Sequence, residues 1–64
     1  MKKLIYEDIN LKTHFTYEIY SSGYRLTELK YLVYECDQDG NRKFIRGFNS
    51  YDEARSFVRM KVTQ

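Results

Sequence analysis

Sixty-four residues, 42% hydrophobic and 17% aromatic, describe one small folded domain, 1–64; 11 basic residues stand against 9 acidic ones, for a formal net charge of +2. That apolar share excludes a disordered tail, and the longest apolar run, Tyr31-Leu32-Val33-Tyr34, is far short of the roughly 18 residues of a membrane span. The start, Met1-Lys2-Lys3-Leu4-Ile5-Tyr6-Glu7-Asp8, meets acidic residues after three apolar positions, unlike a secretory leader, and one cysteine builds no disulfide framework; both favour a reducing, cytoplasmic setting.

Leu4 to Ile9 reads as a first strand, and Asn10-Leu11-Lys12-Thr13 turns into the next. There Phe15, Tyr17 and Ile19 alternate with His14, Thr16, Glu18 and Tyr20, the period-two pattern of a half-buried strand. Ser21-Ser22-Gly23 reads as a loop. Tyr24 to Lys30 is ambiguous, because Leu26, Leu29 and Leu32 also suit a helical turn. Tyr31 to Cys36 and Lys43 to Phe48 are rich in aromatic and β-branched residues, and the Asp39-Gly40 pair between them signals a hairpin. The last element is a helix from Tyr51 to Val62. Ser50 stands as its N-cap with Glu53 three residues on, and Ala54, Phe57 and Val58 recur at helical spacing opposite Asp52, Arg55 and Arg59. The expected fold is α+β: a small antiparallel sheet of three to four strands with one C-terminal helix on one face.

A two-residue hairpin loop would pair Cys36 with Lys43, Tyr34 with Ile45 and Leu32 with Gly47, a more apolar set expected under the helix. Tyr31, Val33, Arg42, Phe44 and Arg46 would then lie on the open face, with Gly47 as a bulge returning Phe48 to the core. A three-residue loop would exchange the two faces. About half of the seven tyrosines are expected in the core, since aromatic rings suit strands.

The chemistry-bearing residues are few. His14 is the only imidazole and has no Ser, Cys or Asp arrangement beside it, so it reads as an exposed strand-end residue. Cys36 lies between Glu35 and Asp37, whose charges disfavour a thiolate, and reads as core filler. Asp37-Gln38-Asp39-Gly40-Asn41 looks faintly like a calcium loop, but its glycine is fourth rather than sixth and the twelfth residue is Phe48. It is a turn. No nucleophile–base pair, metal set or cofactor motif can be assembled, so the chain is not expected to be an enzyme. In so short a chain one core rarely supplies more than ~3–5 kcal/mol, and with disulfides and metals excluded, dense aromatic packing or a homodimer remains.

Charge is segregated: residues 1–24 are neutral, 25–40 carry −2 and 41–64 carry +4. Basic residues on a strand with aromatic neighbours fit phosphate contact; the plain alternative is a solvated surface with ordinary pairs such as Asp52–Arg55.

Residues 39–57, with their Asp39-Gly40-Asn41-Arg42 hairpin and the run Gly47-Phe48-Asn49-Ser50-Tyr51-Asp52-Glu53-Ala54, resemble the arm-type DNA-binding domain of tyrosine recombinases and the related plant ethylene-response DNA-binding domain. The resemblance implies a sheet whose face away from the helix lies in the major groove. Carried over by position, it places Arg42, Lys43 and Arg46 on the strand approaching DNA. The leading expectation is a small standalone nucleic-acid-binding protein of phage or mobile-element origin. Arg42, Lys43 and Arg46, with Arg25 and Lys30 as further candidates, would contact phosphates or base edges, and Tyr31 and Phe44 would lend apolar contact. The competing expectation is a protein-binding module or inhibitor docking on a larger protein through the open sheet face or an edge, with Tyr31, Phe44 and Arg46 as anchors.

Overall fold

Four strands and a helix follow one another along the chain: β1 (Lys3–Ile9), β2 (Thr16–Ser21), β3 (Tyr31–Cys36), β4 (Arg42–Phe48) and α1 (Tyr51–Val62). The structure is a computed structural model that describes residues 2–22 and 30–64. The ambiguous stretch Tyr24 to Lys30 lies outside these residues except for Lys30, as do the candidate Arg25 and the loop residue Gly23. The strands form one antiparallel sheet in the order β1-β2-β3-β4, each paired with its neighbour in sequence. The six-residue connection after β1 and the five-residue connection after β3 each return the chain beside the strand it leaves.

α1 lies across one face. Ser50 Oγ accepts the Glu53 amide at 3.1 Å, one half of the expected capping box, and Asp52 and Glu53 favour the positive end of the helix dipole. Its buried stripe, Ala54 and Val58, meets Tyr17, Ile19 and Val33, and the Ile19, Val33, Ala54 and Val58 side chains are fully excluded from solvent. Tyr6, Phe15, Tyr31, Phe48, Tyr51, Phe57 and Val62 pack around them. Four of the six tyrosines among the described residues therefore serve the core.

Asn10 ties the two layers together. It is 2% exposed, and its Nδ2 donates to the Lys61 and Gln64 carbonyls at 2.7 and 3.3 Å while its Oδ1 accepts the Lys12 and Thr13 amides. One side chain thus shapes the β1–β2 turn and satisfies the helix C-terminus. His14 closes that turn with φ 66°, a left-handed conformation that histidine tolerates better than most residues.

The β3–β4 turn departs from the two-residue expectation. The Asp37 amide donates to the Asn41 carbonyl and the Gly40 amide to the Asp37 carbonyl, leaving three residues, 38–40, in the loop. Gly40 takes φ 88°, open to glycine without steric cost. The Asn41 side chain donates to Asp37 Oδ2, and that bond first, then the Asn41 and Asp39 amides on Oδ1, hold the Asp37 carboxyl below the ordinary aspartate pKa. The extra loop residue shifts the pairing near the turn: Cys36 opposes Arg42, Glu35 opposes Lys43 and Tyr34 opposes Phe44. An irregularity at Ile45 then restores the expected partners, Val33 with Arg46 and Leu32 with Gly47. The bulge falls at Ile45 rather than at Gly47, and Phe48 reaches the core as anticipated.

Candidate helix-free face

The hairpin decides which side chains the helix covers. Tyr31, Val33 and Glu35 share the helix side with Ile19 and Tyr17, whereas Leu32, Tyr34 and Cys36 lie on the bare side. This is the reverse of the facing drawn for a two-residue loop. On β4 the Ile45 bulge splits the strand: Arg42 and Phe44 stay with the bare side, while Lys43, Arg46 and Phe48 fall on the helix side.

The sequence-derived candidates consequently do not form one surface. Tyr31 packs beneath the helix, its ring 6.0 Å from that of Tyr51. Arg46 stacks over Phe48 at 4.9 Å, and Lys43 is exposed opposite Glu35. Lys30 is exposed just before β3, its amide donating to the Phe48 carbonyl. Of the candidates among the described residues, only Arg42 and Phe44 stand together on the helix-free face.

That face has three rows across the four strands: Leu4–Tyr20–Leu32–Gly47, Glu7–Glu18–Tyr34–Phe44 and Ile9–Thr16–Cys36–Arg42. Glu18 at its centre is only 7% exposed although no helix among the described residues covers it. Arg42 reaches across to it, Nε to Oε1 at 2.9 Å and a second guanidinium nitrogen to Oε2 at 3.4 Å, and the Tyr20 hydroxyl donates to Oε1 at 3.2 Å. Burial alone would raise the Glu18 pKa, but hydrogen bonds from Arg42, Cys36 and Tyr20 outweigh it and hold the carboxyl below its ordinary value. The same carboxylate pushes the neighbouring thiol upward: Cys36 is raised first by its own burial and then by the charge of Glu18. Its acidic perturber is thus across the sheet, and Cys36 is a half-buried member of this polar cluster instead of core filler.

Around the ion pair runs a chain of rings. Tyr20 meets Tyr34 edge-on at 5.4 Å, and Tyr34 meets Phe44 at 5.5 Å. Lys2 crosses over this row, its ammonium 4.8 Å from the Tyr34 ring centre and donating to the Tyr34 hydroxyl at 2.9 Å. Such stacking of a cation on rings adds of order 0.5–1 kcal/mol at an exposed site. Leu4, Ile9 and Phe44 remain 43, 41 and 51% exposed at the margins. Glu7 and Glu18 balance Lys2 and Arg42, so the face is aromatic, apolar-edged and electrically neutral.

Sequence reasoning missed Glu18, Tyr20, Tyr34 and Lys2 as parts of one site. The strand alternation of residues 14–20 already placed Glu18 and Tyr20 on a common face; the pairing with β3 and β4 was the lacking information. Among the described residues no three His, Cys, Asp or Glu side chains gather as a metal site, and no helix is long and apolar enough to cross a membrane. No protein-family model, curated protein or solved structure matches this chain.

Proposed function

We propose that the protein is a small interaction module that docks on a larger protein through the helix-free face of its sheet. The observation that carries this reading is the composition of that face: the ring series Tyr20–Tyr34–Phe44, exposed Leu4, Ile9 and Phe44, and charges that cancel within the face. Arginine held on glutamate offers little to a phosphate, because contact would require breaking a short charge-assisted pair. Tyrosine and phenylalanine with a satisfied polar centre match the make-up of protein interfaces.

The test is capture from the source cells with three baits: the wild type, Phe44→Asp and Lys43→Glu. A stoichiometric partner that survives nuclease treatment, is lost with Phe44→Asp and is kept with Lys43→Glu supports docking through this face. Retention by Phe44→Asp refutes it.

One observation favours the nucleic-acid reading. Lys30, Lys43 and Arg46 are exposed near or along β4 with no ion pair among the described residues. Any phosphate contact would then run along this rim instead of the helix-free face. Titration with duplex DNA at two salt concentrations separates the readings. Binding that falls steeply with salt and weakens in Lys43→Glu supports the rim, whereas a flat response removes it.

A further inference from the structure

The two edges of the sheet differ sharply in charge. β4 carries three cations, Arg42, Lys43 and Arg46, and no acidic residue, a pattern that discourages pairing with another β4. β1 is almost wholly exposed, with Leu4, Ile5 and Ile9 near 40%, and no strand pairs with its outer side among the described residues. Its charges are ordered: Lys2 and Lys3, then Leu4, Ile5 and Tyr6, then Glu7 and Asp8. Reversing that order, as an antiparallel second copy does, sets cations against anions. The edge is complementary to itself.

The irregularity within β1 selects the register. Leu4 pairs with Tyr20 and Tyr6 with Ile19, so Ile5 is an extra residue and the side-chain alternation slips there. Lys3, opposite Ser21, and Asp8, opposite Tyr17, therefore both lie on the helix side, although five positions apart. Leu4 and Glu7, opposite Tyr20 and Glu18, both lie on the helix-free side. Opposed residues of an antiparallel ladder share a face. Pairing Lys3 with Glu7 of a second copy breaks that rule; pairing Lys3 with Asp8 and Leu4 with Glu7 obeys it.

We propose that the protein forms a two-fold symmetric dimer by antiparallel pairing of β1 with β1 of a second copy, Lys3 opposite Asp8 and Ile5 opposite Tyr6. The axis passes between Ile5 and Tyr6, perpendicular to the sheet. Two Lys3–Asp8 pairs form on the helix side, and Glu7 lies diagonally across from Lys2 of the second copy on the other. Asp8 is already held in place, accepting the Ile9 amide at 2.8 Å and the Tyr6 hydroxyl at 3.3 Å. The product is an eight-stranded sheet with both helices on one side and a doubled helix-free face on the other. An isologous contact of this kind closes on itself, whereas β1 joined to β4 of the next copy would grow without limit.

Sedimentation equilibrium of the full chain over a concentration series tests this, with Lys3→Glu, Asp8→Lys and the double variant. The wild type is expected to reach twice the 7.8 kDa chain mass. Lys3→Glu, which touches none of the contacts described above, should weaken association at least about tenfold by opposing two carboxylates. The double variant, or an equimolar mixture of the two single variants, should restore it, because each reversed charge again meets its opposite. Zero-length carbodiimide coupling provides an arm independent of variant folding: it should join Lys3 to Asp8 between isotopically distinct copies. A monomer up to about 1 mM, growth beyond a dimer, or a dimer indifferent to Lys3→Glu and uncoupled at these residues overturns the proposal.

Discussion

The two faces of this sheet are both partly buried, by opposite means. Under α1, exclusion of water is achieved with hydrocarbon: Ile19 and Val33 press on Ala54 and Val58, all at 0% exposure. On the bare face the most buried side chain is a carboxylate, Glu18, covered by Arg42 and Tyr20 and satisfied by their donors. A second layer is needed to bury apolar groups, whereas a polar group can be buried by its neighbours if every lone pair finds a donor. The covered face should therefore dominate stability, and the bare face should be where substitution is cheap and function is altered.

The largest expected effect tests that asymmetry. Ile19→Ala should cost about 3–4 kcal/mol, enough to leave so small a domain mostly unfolded at 25 °C, whereas Leu32→Ala on the other face should cost about 1 kcal/mol. Thermal unfolding by circular dichroism measures both, and equal losses would show that the bare face is covered in solution. Asn10→Ala comes next, at about 2–3 kcal/mol, since it strands two helix-end carbonyls and loosens the β1–β2 turn. Its loss should appear as faster amide exchange at the end of α1.

The faces should also separate by pH. Glu18 has a depressed folded pKa, so its contribution is present above the unfolded value and is lost as pH falls through the folded one. Stability should drop below about pH 4.5, and Glu18→Gln should flatten that acid limb at a cost of about 1–2 kcal/mol near neutrality. Tyr17, on the covered face, behaves in the opposite sense. Burial and a 2.6 Å bond to Glu35 push it up from 10.0 to about 12, so its contribution is intact below pH 10 and fades as pH rises towards 12. Tyr17→Phe should remove that alkaline step in denaturant titrations. The smallest effect belongs to Phe44→Ser, within about 0.5–1 kcal/mol by thermal melt, despite the role proposed for this residue in docking.

Much of the architecture was legible in the chain. The period-two run from Phe15, the apolar runs at Tyr31 and Lys43, and the Ser50–Glu53 cap each report local physics, and all four elements stand where those signals put them. The candidate surface was legible only in part. Arg42 and Phe44 share a face as expected, but Tyr31 and Arg46 are separated from them by one extra loop residue and one bulge, and Lys43 by strand alternation alone. Neither is visible in composition or periodicity, because Asp39-Gly40 suits loops of either length.

Residue order alone determined that β-strands precede a capped helix, since alternation, turn chemistry and helix capping act within a few positions. Which side of each strand meets the helix was decided by the folded sheet: a shift of one residue in pairing inverts every side chain after it, and only the packing of Val33 and Ile19 against α1 selects between the two outcomes.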